Sequence, residues 1–205
     1  MTKRMRTAIL ISGRGSNMAS LLEAAQQPDF PARIALVLSN RPDAGGIEKA
    51  AQAGIPTRIV DHRAFSGREA FEEAMDGALR EAGIELVCLA GFMRVLTPWF
   101  VARWEGRMLN IHPSLLPLFK GTHTHRQALE AGVRVHGCTV HFVVPELDSG
   151  PIVAQACVPV EPGDTEADLA ARVLVEEHRI YPQALADVAS GRVVLRGGRC
   201  RFGMI

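Results

Sequence analysis

Short β-rich runs alternate with helix-like segments through the first two thirds of the chain, and this alternation limits the fold more than any other feature. The runs are Thr7 to Ser12, Arg33 to Leu38, Thr57 to Val60, Leu86 to Ala90 and Met108 to His112. Strands that take turns with helices are joined by crossovers, so they line up parallel in a helix-covered sheet. Two later runs, Cys138 to Val144 and Ile152 to Val160, are separated only by the turn-rich Pro145 to Pro151. They are expected to pair antiparallel, which makes the sheet mixed. Ser66 to Ala82 places Ala70, Phe71, Ala74, Met75, Ala78, Leu79 and Ala82 on one helical face, with Ser66 and Glu69 as a capping box. Thr165 with Asp168 opens a final helix to about Asp187 that Tyr181-Pro182 is expected to kink. Gly197-Gly198 turns the basic tail, Arg192 to Arg201, into a surface hairpin.

A chain of 205 residues supplies one hydrophobic core, so a single domain is expected. With 47% hydrophobic and 22% charged residues it has the composition of a soluble globular protein, and a net charge of +1 gives no electrostatic reason for a nucleic-acid partner. No stretch approaches the ~20 apolar residues that cross a bilayer. Lys3, Arg4 and Arg6 precede only a short apolar run, Ala8 to Ile11, which reads as a strand and not an export signal; the cytoplasm is the expected compartment. Cys88, Cys138, Cys157 and Cys200 form no C-x-x-C pair and are expected to be reduced core thiols.

Three places carry candidate chemistry. Ser12-Gly13-Arg14-Gly15-Ser16-Asn17 leaves the first strand and enters the pattern Met18 to Ala25. Glycines allow close backbone approach, and the N–H groups at a helix start attract an anion, so a phosphate fits here. Met18 stands where a dinucleotide fingerprint needs its third glycine, which favours a mononucleotide or sugar phosphate. A plain turn capped by Asn17 or Ser16 explains the same residues. In Met108 to His112, alternation points Asn110 and His112 to one face, and Pro113 ends the strand, so both lie at its carboxyl end, where open α/β sheets form ligand crevices. A buried structural histidine is the plainer alternative. Asp148, in Glu146-Leu147-Asp148-Ser149-Gly150-Pro151, reads first as a turn residue. If that loop folds back onto the strand end, its carboxylate would orient His112 and raise the imidazole pKa. His123, His125, His136 and His141 invite a metal reading, but no carboxylate or cysteine completes a first shell, so no metal is expected.

The run Asn110-Ile111-His112-Pro113-Ser114-Leu115-Leu116-Pro117, with Leu147-Asp148-Ser149-Gly150-Pro151 downstream, resembles the folate-dependent formyltransferase superfamily. Ile11 to Asn17, Ala90 to Leu96 and His123 to Leu129 narrow the resemblance to the branch that formylates phosphoribosylglycinamide, and the shared motifs run from the first strand to Glu177-His178. Ser149 stands where that branch commonly has glycine, and Arg14 where it often has asparagine.

The resemblance implies a single-domain, three-layer α/β formyltransferase fold with a Rossmann-like N-terminal half and a mostly parallel, mixed central sheet. Residues 1–100 would bind phosphate, 101–190 would hold the catalytic and folate sites, and 191–205 would be a tail. It implies that 10-formyltetrahydrofolate is the co-substrate, without a metal, and that Asn110, His112 and Asp148 are catalytic. Gly15, Ser16, Asn17 and Glu177 would hold the phosphorylated substrate. Arg68, Met93, Arg94, Val95, Leu96, Asn110, Val144, Pro145, Glu146, Leu147 and Asp148 would hold the folate. Partners are then small molecules, with neither nucleic acid nor membrane, and the chain a monomer or homodimer. The rival readings are a formyltetrahydrofolate hydrolase, disfavoured because the first strand at Thr7 leaves no room for its usual N-terminal domain; a transfer-RNA formyltransferase, for which a second domain and a basic surface are lacking; and a non-catalytic nucleotide-binding module.

Overall fold

The computed structural model describes residues 3–203. Its strands are β1 (Met5–Ile11), β2 (Ala32–Ser39), β3 (Thr57–Ile59), β4 (Leu86–Leu89), β5 (Met108–His112), β6 (Val135–Phe142), β7 (Ile152–Pro159) and the pair β8 (Val193–Arg196) and β9 (Arg199–Phe202). Its helices are α1 (Ser16–Ala25), α2 (Gly45–Gln52), α3 (Arg68–Glu81), α4 (Pro98–Arg103), α5 (Thr124–Glu130) and α6 (Glu166–Ala189). Seven strands form one sheet in the order β3-β2-β1-β4-β5-β6-β7. Neighbours from β3 to β5 are parallel, and β6 and β7 add antiparallel, as the loop between them requires. The basic tail is the separate β8–β9 hairpin, turning at Gly197-Gly198.

Two apolar clusters, one on each sheet face, make the domain three layers thick. Alternate residues of β1 divide between them: Ile9 and Ile11 pack with Met18 and Leu21 of α1 and Leu169, Val173 and Tyr181 of α6, while Ala8 and Leu10 pack with Phe71, Met75 and Leu79 of α3 and Phe100 of α4. Burial on both faces is why these parallel strands read as unbroken apolar runs. The fully buried Tyr181 shares its hydroxyl proton between the carbonyls of Leu89 at 3.0 Å and Leu109 at 3.3 Å, pinning α6 to the two strands that carry the site.

Helix α3 departs from the expected start. It begins at Arg68 with Gly67 as N-cap and no side-chain cap, so the Ser66–Glu69 capping box does not form. Gly67 is extended (φ −168°, ψ 175°), which places Ser66 one residue too early to reach the first-turn N–H groups. The apolar face is as expected, but Glu72 and Asp76 are buried with it, at 1% and 2% exposure. Glu72 accepts the N–H of Thr97 at 2.9 Å and its hydroxyl, and Asp76 accepts from Trp104 Nε1 at 3.2 Å and Arg103 Nε at 3.0 Å. These bonds lock α4 onto α3. Helix α6 has its full Thr165–Asp168 capping box and contains Pro182 without ending there.

Candidate active site

The parallel order changes direction at β1, whose neighbours are β2 on one side and β4 on the other, so the strand ends open a crevice there. Polar side chains from β5 and from the turn that follows β1 gather along this edge. His112, 4% exposed, ends β5, and its Nε2 lies 2.9 Å from the carbonyl oxygen of Phe119, an acceptor, so Nε2 carries a hydrogen. Its Nδ1 lies 3.5 Å from Asp148 Oδ2. Asp148 is 8% exposed, and the same carboxylate oxygen accepts the N–H of Gly121 at 2.8 Å. The loop after β6 therefore does fold back on the strand end, and His112 and Asp148, far apart in sequence, share one buried spot.

His141 is a member of this cluster that the sequence reading placed only among the rejected metal ligands. Its Nδ1 faces the Phe142 carbonyl at 2.9 Å, which fixes the hydrogen there and leaves Nε2 an acceptor. Asn110 Nδ2 donates to that Nε2 at 3.3 Å, and Asp148 Oδ1 stands 3.9 Å from it. Burial holds the His141 ring below the ordinary histidine value, opposed by the Phe142 carbonyl and Asp148, so the neutral tautomer is the one present. One amide hydrogen of Asn110 is thus committed and the other is free. Strand pairing brings His141 here: on β6, antiparallel to β5, it stands directly opposite Asn110, a partnership that spacing along the sequence does not report.

At the end of β1 the helix start is not side-chain capped. Gly15, left-handed at φ 68°, is the N-cap of α1, and neither Ser16 nor Asn17 caps it. Ser16 is exposed, and Asn17 instead turns toward α6, donating from Nδ2 to Glu177 Oε2 at 2.6 Å. Asn17 Oδ1 is buried and makes no hydrogen bond within the protein. Burial pushes the Glu177 carboxyl above its usual range, with the Asn17 bond opposing. The glycines keep α2 close: a side chain on Gly46 would meet Ile11 Cδ1 at 2.5 Å, and its N–H donates to Gly13 O at 3.0 Å.

Of the other positions, Met93 and Val95 are exposed at 69% and 54%, Leu96 is buried, and the Arg94 guanidinium lies 5.6 Å over the Phe71 ring. Arg68 is exposed in the first turn of α3, beside Ser66, Gly67 and Thr97 in a shallow surface hollow. Val144, Pro145, Glu146 and Leu147 form the rim leading to Asp148, with Leu147 51% exposed. Ser149 fits that rim without backbone strain, since the left-handed residue is Asp148 (φ 49°); its hydroxyl accepts from Lys120 Nζ at 2.5 Å, stapling two loops.

The cysteines need a correction. Cys88 and Cys138 are buried, and burial pushes both thiols up to about 12, so neither is a thiolate. Cys157 is exposed and Cys200 half-buried, because one points outward from the edge strand β7 and the other lies on the tail hairpin. No group of three or more His, Cys, Asp or Glu among the described residues is arranged to hold a metal ion, and no described helix is long and apolar enough to cross a membrane.

A Rossmann-like α/β protein with polar side chains gathered at its strand ends is the class that fold and site define. Residues 5–185 match the formyl transferase family, and the chain belongs to it. It is 48% identical over 189 residues to phosphoribosylglycinamide formyltransferase of Escherichia coli, covering 92% of this chain and 89% of that one. It is 52% identical over 193 residues to the human trifunctional purine biosynthetic protein adenosine-3, covering 94% of this chain but only 19% of that larger protein. Glycinamide ribonucleotide transformylase 1 from Symbiobacterium toebii superposes with a TM-score of 0.94 at 48% identity, over 97% of this chain and 94% of that one. A formyltetrahydrofolate deformylase from Burkholderia mallei shares the fold at a TM-score of 0.88 and 32% identity, over 99% of this chain and 71% of that one.

Proposed function

We propose that the chain transfers the formyl group of 10-formyltetrahydrofolate to the glycine amine of phosphoribosylglycinamide, a step of purine biosynthesis. The observation that carries the proposal is the convergence of His112, Asp148 and Asn110 at the end of β5, beside a helix start whose Asn17 and Glu177 form a second polar site on the same edge of the sheet. Two substrates need two sites, one for the donor and one for a phosphorylated acceptor. The naming of the Escherichia coli and Symbiobacterium relatives supports the same acceptor.

In the reaction the substrate amine attacks the formyl carbon, and negative charge gathers on the formyl oxygen. The uncommitted amide hydrogen of Asn110 and the Nε2–H of His112, taken over from the Phe119 carbonyl, are the donors for that oxyanion. Asp148 offsets the positive charge of His112 whenever the ring holds both protons and keeps Nδ1 turned inward. The amine proton passes through His112 or water to the folate nitrogen, which leaves as the tetrahedral carbon collapses. Gly15, Ser16 and Asn17 hold the phosphate on the open turn of α1, and Glu177 contacts the phosphorylated substrate. Arg68, Met93 to Leu96, Asn110 and Val144 to Asp148 hold the folate.

Incubation with 10-formyltetrahydrofolate and phosphoribosylglycinamide, followed by mass analysis, tests this directly. Formylated phosphoribosylglycinamide is expected. Formate as the sole product would put the chain with the deformylases, and no consumption of folate at all would leave a binding module.

A further inference from the structure

The two substrate segments meet at one buried hydroxyl. Ser12 stands between β1 and the Gly13 to Asn17 turn and is 6% exposed. Its N–H donates to Gly91 O at 3.1 Å, its Oγ accepts the N–H of Met93 at 2.8 Å, and its hydroxyl proton goes to Asn40 Oδ1 at 2.6 Å. Asn40, 2% exposed, is held in turn through its carbonyl, which accepts from His62 N at 3.3 Å and His62 Nδ1 at 2.8 Å. The hydroxyl has a single proton, and Asn40 takes it, so a lone pair faces Met93.

The Met93 and Val95 side chains are largely exposed, while Phe92 and Leu96 on either side are buried and Arg94 lies over the Phe71 ring. At Met93 itself the backbone bond to Ser12 is the hold, and the next backbone bond to a side chain is Thr97 on Glu72. The turn that follows Ser12 keeps its own supports, Gly46 N to Gly13 O and Ala19 N to Gly15 O, each at 3.0 Å.

We propose that Ser12 is a positioning residue that couples the two substrate sites, its hydroxyl tying the Met93 to Leu96 segment to the base of the Gly13 to Asn17 turn so that filling one site orders the other. The inference rests on the folate reading of Met93 to Leu96. Order imposed on the turn by a bound phosphate reaches Met93 through one residue, and by linkage the folate returns the same effect.

Calorimetric titration of tetrahydrofolate, with and without saturating ribose 5-phosphate, tests it on the intact protein. Wild type is expected to bind tetrahydrofolate more tightly when ribose 5-phosphate is present. Ser12→Ala is expected to bind tetrahydrofolate about tenfold more weakly, since the Met93 N–H loses the Ser12 acceptor that fixes it. Ribose 5-phosphate affinity should change less than about twofold, and the enhancement of one ligand by the other should vanish. Ser12→Thr, which keeps the hydroxyl, should restore both. Asn40→Ala leaves the hydroxyl unanchored and carries the same expectation, so it serves if Ser12→Ala does not fold. A lower melting temperature in either variant with tetrahydrofolate affinity and coupling both intact would reduce Ser12 to a structural role and overturn the inference. Wild type that binds tetrahydrofolate without any response to ribose 5-phosphate overturns it too, whereas wild type that binds no tetrahydrofolate removes the folate reading and the inference together.

Discussion

Phe119, His123 and Asp148 are the non-glycine residues among those described with left-handed backbone, at φ 54°, 57° and 49°, and all lie in the loops around His112. Phe119 offers its carbonyl to the His112 ring, Asp148 faces the other ring nitrogen, and His123 starts α5 just before Thr124, whose hydroxyl holds Pro113 O at 2.7 Å. A left-handed residue other than glycine costs about 1 kcal/mol, less for Asp, Asn and His, so such conformations persist where the surroundings impose them. Asp148→Asn separates charge from geometry, because asparagine also tolerates this backbone and matches the volume. Turnover is expected to fall ~10²- to 10⁴-fold while the melting temperature stays within a few degrees. Asp148→Ala should lose a further ~1 kcal/mol of stability from the strained backbone. Steady-state kinetics and thermal melts of both variants check this, and turnover near wild type in Asp148→Asn would remove the carboxylate from the mechanism.

Among the elements, α6 shows how far local sequence specifies structure. Its start was legible because Thr165 and Asp168 satisfy each other's backbone N–H groups, with Asp168 N to Thr165 Oγ1 at 3.2 Å and Thr165 N to Asp168 Oδ2 at 3.0 Å. Thr165→Ala is expected to cost ~1 kcal/mol and to lower the melting temperature by ~2–4 °C with kcat unchanged, which differential scanning calorimetry and a formyl-transfer assay can read together. The central strands were legible for a similar local reason: β1 and β4 are buried on both faces and show as apolar runs, and β5 has the expected bounds, Met108–His112. The Ser66–Glu69 pattern failed because the helix rule was met at the wrong residue, with Gly67 taking the cap. Helix α2 was not singled out, since it opens on Gly45-Gly46, poor helix formers, of which Gly46 packs closely against Gly13. For the site, neighbours in sequence were legible and distant partners were not. Asn110 with His112, and Gly15 with Asn17, follow from strand period and turn chemistry. Asp148 against His112, Glu177 against Asn17 and Met93 against Ser12 depend on which strands lie side by side, and no periodicity reports that.

At the scale of the whole molecule, buried and half-buried histidines shape the response to acid. Burial holds His125, His136, His141 and His178 below the ordinary histidine value, His136 at about 4 against 6.5. A folded-state pKa below the unfolded one means that the unfolded chain binds more protons, so this stability is complete above pH 6.5 and is lost as pH falls toward about 4. The raised Glu177 works in the opposite sense, and Asp61 and Asp164, held near 2, lose their contribution only below that window. Between pH 6.5 and 4 these histidines therefore work to lower stability as acid is added. His136 is the sharpest case: it is 1% exposed, burial outweighs the opposing Pro113 backbone carbonyl, and the ring packs edge-on against His125 at 5.3 Å and Phe119 at 5.8 Å. The ring acts there as an aromatic and not as a base. His136→Phe should keep that packing and remove the proton-linked part, on the order of 2–3 kcal/mol across the window. Urea unfolding at pH 7.0 and at pH 4.5 is expected to show a large loss of stability in wild type and a clearly smaller one in His136→Phe. Equal losses in the two proteins would place the acid sensitivity in groups other than His136.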